Sequence, residues 1–211
     1  CSDPVVTPPS LLVEYGDPAE VNCSIPLKPG TGYWLSWESK SSATQTDSVH
    51  SGTGSEISLM WKVDSLTNWE EAENLKCTLV TENSQPNECV SHVNLTIYKR
   101  PDSVMLSSLS HVWIAGDQTD LICQIENVGP GRKLSVHWSR ADPKENKAFT
   151  LFKETSLSDL VNEMTNVNVT VNLNVTARRE DDGVQYKCAA VLNLDPVLVV
   201  SESQPITITV H

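Results

Sequence analysis

Apolar residues recur along this chain with a period of two. The longest run, Val167-x-Val169-x-Val171-x-Leu173-x-Val175, sends its apolar side chains to one face and Asn168 and Asn174 to the other. Shorter runs of the same kind are Ile57-x-Leu59-x-Trp61-x-Val63, Leu75-x-Cys77-x-Leu79, Val93-x-Leu95-x-Ile97, Leu134-x-Val136-x-Trp138 and Ile206-x-Ile208-x-Val210. Such alternation is the mark of half-buried β-strands, with Tyr33–Glu38 and the Phe149-x-Leu151 pair as further candidates. Residues 39 to 56 are rich in Ser, Thr and Gly and predict a polar excursion without a sheet pattern. The expected fold class is all-β.

The strands come in two sets. Gly16-Asp17-x-x-x-Val21-x-Cys23 recurs as Gly116-Asp117-x-x-x-Leu121-x-Cys123, an offset of 100 residues. In each copy the Gly-Asp pair makes a turn, and alternation then carries Val21 or Leu121 and the following Cys to one inward face. Near the other end, Arg178–Cys188 reads RREDDGVQYKC. A Tyr two residues before a Cys, led in by a turn, marks the corner into strand F of an immunoglobulin sandwich, where the Tyr hydroxyl bonds upstream backbone. Cys123 on strand B and Trp138 on strand C supply the matching core pair. A repeat at this length predicts two tandem immunoglobulin-like β-sandwiches, residues 1–98 and 101–211. The Lys99-Arg100 link is short enough to suggest a semi-rigid rod. Within the first, Pro4, Pro8 and Pro9 suit an edge strand A, strand B ends near Cys23, and Pro26, Pro29, Gly30 and Gly32 make the B–C turn. In the second, Cys188 opens strand F and Ile206–Val210 is strand G.

The six cysteines contain no CxxC pair and cluster with no histidines, which favours disulfides over zinc. Cys23–Cys77 and Cys123–Cys188 are the two B–F bridges, each closing a loop of about 55 to 65 residues and worth roughly 4 kcal/mol on a chain-entropy basis. Cys1 and Cys89 are left over in one domain, and both lie where strands A and G start, so they are expected to pair. Disulfides imply an oxidising compartment. Four N-x-[ST] sequons, at Asn22, Asn94, Asn168 and Asn174, agree. With no apolar leader and no long apolar run, the chain reads as an extracellular segment, secreted or the ectodomain of a single-pass membrane protein. A net charge of -12 disfavours nucleic acid and anionic lipid as partners. None of the five histidines (50, 92, 111, 137 and 211) lies by a nucleophile motif, and no HExxH, P-loop or GxGxxG occurs. The chain is therefore expected to be neither an enzyme nor a small-molecule binder.

The strand-F lead RREDDGVQYKC, the CAAVLNLDP that follows it, the junction NLTIYKRPDSV and the strand-C end LSWES together resemble the intercellular adhesion molecules of leukocyte biology. The vascular and mucosal addressin adhesion molecules are more distant. The resemblance implies an adhesion ectodomain whose first domain binds a leukocyte integrin. It implies, further, that an acidic residue at the end of strand C completes the coordination of a Mg²⁺ held by that integrin, the chain itself carrying no cofactor. Glu38 matches this position, and Trp37 beside it is expected to share the partner-binding surface. Asp47, in Gln45-Thr46-Asp47-Ser48, resembles the Asp-Ser of the vascular type and is the competing candidate. The chain departs from the family in lacking a second B–F bridge, since Cys23 is followed by Ser24-Ile25-Pro26-Leu27. A hard divalent cation takes oxygen ligands, and a Glu on a rigid strand end is well placed to supply one. The second reading is metal-independent binding to another cell-surface immunoglobulin-family protein through the G–F–C face.

Overall fold

A computed structural model of the chain describes residues 1–26, 32–41, 43–50, 56–82, 85–145, 148–158 and 161–211, with 43–50 described by backbone alone. It divides into two compact units, Cys1–Tyr98 and Lys99–His211. Lys99 lies in the second unit, where it exchanges two backbone hydrogen bonds with Gly129. No helix among the described residues is long and apolar enough to cross a membrane.

The first unit contains β1 (Val5–Thr7), β2 (Ser10–Glu14), β3 (Ala19–Pro26), β4 (Gly32–Glu38), β5 (Ala43–His50), β6 (Glu56–Val63), β7 (Lys76–Thr81), β8 (Glu88–His92) and β9 (Asn94–Tyr98). One sheet has the order β1-β3-β6 and the other β5-β4-β7-β8, while β2 runs parallel to β9. Pro8 and Pro9, which lack an N–H for a ladder, lie where the first strand leaves β3 and crosses to β9. The alternation in β3 buries Ala19, Val21, Cys23 and Ile25. They meet Tyr33, Leu35 and Trp37 of β4 and Cys77 and Leu79 of β7 in a common core. Each large side chain buried there contributes about 1.5–3 kcal/mol, and the Cys23–Cys77 disulfide joins the two layers.

The second unit repeats the plan with β10 (Ser103–Ser107), β11 (Val112–Trp113), β12 (Gln118–Val128), β13 (Leu134–Ala141), β14 (Thr150–Ser156), β15 (Val167–Thr176), β16 (Gln185–Asn193), β17 (Leu198–Glu202), β18 (Ile206–Thr207) and β19 (Thr209–Val210). Its sheets are β10-β12-β15 and β14-β13-β16-β17, with β18 also on β16 and β11 parallel to β19. Both units are thus immunoglobulin-type sandwiches. The Gly-Asp repeat has a shared cause. Gly16 and Gly116 sit at φ +93° and +94°, in the left-handed region that glycine enters without steric cost. Each Gly-Asp pair then exchanges backbone hydrogen bonds with one residue after strand β6 or β15: Gly16 and Asp17 with Leu66, Gly116 and Asp117 with Ala177.

Several sequence expectations are corrected. The stretch 39–56 is not strandless: β5 pairs with β4 from Gly32↔His50 to Glu38↔Ala43. Its sequence ATQTDSVH carries no apolar alternation by which a strand could be read. Pro26 ends β3 rather than opening the turn; Pro29 and Gly30 of that turn lie outside the described residues. Strand F of the second unit begins at Gln185, not at Cys188, and its G edge begins at Leu198. Leu198-Val199-Val200 is continuously apolar, so period-two reading passed over it, although it pairs with β16 from Asn193↔Leu198 to Ala189↔Glu202. Tyr186 packs its ring against Trp113 and Phe152, at 5.8 and 5.9 Å between centroids. No bond from its hydroxyl to upstream backbone occurs among the described residues. The corner is held instead by Arg140 Nη2 donating to Asp181 Oδ1 at 2.8 Å.

Candidate functional site

Strand β4 reads Tyr33-Trp34-Leu35-Ser36-Trp37-Glu38, and its alternation decides what can be touched. Tyr33, Leu35 and Trp37 are buried. Trp37 is 1% exposed and donates through Nε1 to the Leu59 carbonyl at 2.9 Å, spanning the sandwich interior. It is therefore a core residue, and its expected place at a partner surface is corrected. Trp34, Ser36 and Glu38 take the opposite face, and Trp34 is 37% exposed.

Register across the sheet builds three rows on that outer face. Glu38 stands opposite Lys76, and Lys76 opposite His92; Ser36 opposite Thr78, and Thr78 opposite Val90; Trp34 opposite Val80, and Val80 opposite Glu88. The Glu38 carboxylate is not unpaired, since Lys76 Nζ approaches Oε1 at 3.2 Å, but its side chain remains 43% exposed. No other partner for it occurs among the described residues, which leaves Oε2 facing solvent. Thr78 is buried in the middle row, and its Oγ1 has no hydrogen-bond partner among the described residues. Sequence reading missed Lys76 and Trp34: one step from the inward Cys77 and Leu35 puts both on the outer face, but only the β4–β7 register sets Lys76 opposite Glu38. Asp47 lies on β5 opposite Leu35, and only its backbone is described. Glu38 is opposite Ala43 on the same strand, so the two acidic candidates are separated along the sheet.

Among the described residues no three His, Cys, Asp or Glu side chains converge as metal ligands. Three disulfides are formed: Cys1–Cys89, Cys23–Cys77 and Cys123–Cys188. Cys89 lies inside β8, opposite Leu79. Of the sequon residues, Asn94, Asn168 and Asn174 are exposed and Asn22 is half-buried. Asn168 and Asn174 face outward on β15, and Asn94 opens β9 opposite Ser10.

No protein-family model matches the chain. It is 25% identical over 194 residues to intercellular adhesion molecule 1 of Macaca mulatta, covering 92% of this chain and 31% of the relative. Intercellular adhesion molecule 3 of Homo sapiens is 26% identical over 203 residues, covering 95% and 32%. This chain is similar to the intercellular adhesion molecules. It spans about a third of the length of those relatives. Among solved structures, the D1–D4 ectodomain fragment of ICAM-5 superposes with TM-score 0.62 at 20% identity, covering 99% of this chain and 50% of that one. The D1–D2 fragment of Rst gives 0.61 at 13% identity, covering 99% and 100%, which speaks to the fold alone. With adhesion-molecule relatives, an immunoglobulin fold and three disulfides, the chain is an extracellular protein and not an enzyme.

Proposed function

We propose that this chain is a cell-adhesion ectodomain that binds a leukocyte integrin, with Glu38 donating one carboxylate oxygen to a Mg²⁺ held by the integrin. The observation that carries the reading is the placement of Glu38. It ends a core strand whose inward residues are fully packed, it projects from the outer face, and Lys76 engages one oxygen while the other faces solvent. Ligating carboxylates are commonly hydrogen-bonded through the second oxygen, which fixes their direction. Lys76 supplies that hold, and a rigid strand positions the ligand better than a loop would. Adhesion-molecule relatives over most of the chain support the same class of function.

A second reading rests on Trp34, an exposed aromatic on the same face. Aromatic anchors of this kind suit a metal-independent contact with another immunoglobulin-family protein. Adhesion of leukocytes to the immobilised chain, measured with Mg²⁺ and with EDTA, separates the two. Binding abolished by EDTA supports the integrin reading; binding that survives chelation removes it.

A further inference from the structure

On the outer face of the β10-β12-β15 sheet lies an open groove of about 590 Å³, lined by Asp102, Gln124, Glu126, Asn127, Asn168 and Thr170. It forms where β12 and β15 slip register between Ile125 and Val128, a β-bulge that spreads the two strands. Asn127 sits in the bulge at φ +59°, and its position is over-determined. Its carbonyl accepts from Lys99 Nζ at 3.0 Å, and its side-chain amide donates to Asp102 Oδ2 at 2.9 Å. Its Oδ1 accepts from the Asn166 amide. The Lys99 ammonium, and then the Asn127 amide, hold the Asp102 carboxyl below its ordinary range. From this fixed base the Asn127 N–H donates to Asn168 Oδ1 at 2.8 Å.

That last bond selects how Asn168 stands. Its oxygen is turned towards β12, and its Nδ2, the atom that a sequon presents for glycosylation, has no partner among the described residues. Asn174, the other sequon on β15, differs: its Nδ2 already donates to Asp120 Oδ1 at 3.0 Å. Around Asn168, the side chains of Gln124, Glu126 and Thr170 also lack partners among the described residues. They offer an amide, a carboxylate and a hydroxyl at neighbouring points. Met105, opposite Gln124 in register and 58% exposed, adds apolar surface at the margin. Polar groups spaced around a concavity, with an apolar patch beside them, fit the alternating hydroxyls and C–H faces of a pyranose.

We infer that this groove is a carbohydrate site whose occupant is the chain's own Asn168 glycan, the first N-acetylglucosamine units lying along β12 rather than extending into solvent. The attachment joins Asn168 Nδ2 to the anomeric carbon of an oligosaccharide carried on a lipid diphosphate. The amide loses one proton and the lipid diphosphate departs. The remaining N–H and the Oδ1 bond to Asn127 set the direction in which the sugar leaves the strand, and Gln124 and Glu126 receive its hydroxyls and acetamide. The glycan then covers the bulge, where the β12–β15 ladder is interrupted.

The test uses the full chain produced in mammalian cells and digested, without denaturation, by a peptide N-glycosidase, with release followed at Asn168 by peptide mass spectrometry. Release from the native chain should be about tenfold slower than from the Gln124→Ala/Glu126→Ala double variant, the factor that one or two sugar hydrogen bonds represent. Both replaced side chains are exposed, so near-ultraviolet circular dichroism should show an unchanged fold. Equal release rates in the two proteins overturn the inference, as does an Asn168 that carries no glycan.

Discussion

Glu38 and Lys76 oppose each other across the β4–β7 pair, Oε1 to Nζ 3.2 Å, with both side chains still partly in water. A pair so exposed is worth about 0–1 kcal/mol to the fold. Glu38→Gln should therefore leave the thermal midpoint nearly unchanged. A carboxylate lost from a metal's coordination shell is another matter, and the same variant should lower Mg²⁺-dependent leukocyte adhesion about a hundredfold or more. Asp47→Asn should retain most of it. Surface plasmon resonance against purified integrin decides the point, and the opposite ranking would move the site to β5.

Trp37 should behave as core. Trp37→Ala removes a fully buried indole and its bond to Leu59, and truncations of this size cost about 3–5 kcal/mol. Loss of the cooperative unfolding transition of the first unit is the expected outcome. Trp34→Ala, on the solvent side of the same strand, should cost under about 1 kcal/mol. If Trp34→Ala abolishes adhesion that EDTA does not affect, the contact is the metal-independent one.

Thr78 offers a test with the unusual sign. Its hydroxyl is buried between Ser36 and Val90 with no partner among the described residues, and an unsatisfied group of that kind costs about 1–3 kcal/mol. Thr78→Val keeps the shape and removes the hydroxyl. The urea midpoint should stay level or rise by the equivalent of about 1 kcal/mol; a clear fall would mean that the hydroxyl is engaged.

Tyr186 gives the second unit an alkaline limit. Burial, and after it the Asp181 carboxylate, push the phenol's pKa up, against weaker opposing effects of Arg140 and Arg178. Below about pH 10 the phenol is neutral in both folded and unfolded chains, so its contribution is intact. As the pH rises further the unfolded chain ionises first, and the contribution is lost as the pH climbs through the folded value. Tyr186→Phe keeps the ring contacts and should flatten the decline above about pH 10, as read by denaturation at a series of pH values.

Legibility in the sequence followed burial on one face. Strands with one face on the core and the other towards solvent, such as β6 and β15, were readable residue by residue because packing enforces the alternation, although both end their sheets. Two strands without such a pattern escaped: β5 carries only Ala43 and Val49 among polar residues, and β17 is apolar on both faces near its hairpin. Glu38 could be located from the resemblance, but its engagement by Lys76 could not, since cross-strand register is set by pairing that no local pattern encodes. Trp37 was misjudged for a related reason. Adjacent residues on a strand point to opposite faces, so standing next to Glu38 removes it from Glu38's surface.

The Cys1–Cys89 bridge gives the first unit a covalent shortcut for mechanical load. Tension applied on the Cys1 side passes through the disulfide to Cys89 and then along β8 and β9 to Tyr98, so the intervening loop of chain, with Glu38 on it, is left slack. Tension that enters at Glu38 reaches the Cys23–Cys77 bridge only after the chain between has been drawn out of the sheet. Until then it crosses from β4 to β7 and β8 through hydrogen bonds perpendicular to the strands, which share a load directed along β4 rather than parting one at a time. An adhesive contact held at Glu38 would thus draw on the whole sheet, while a tug on the amino-terminal strand would not reach it.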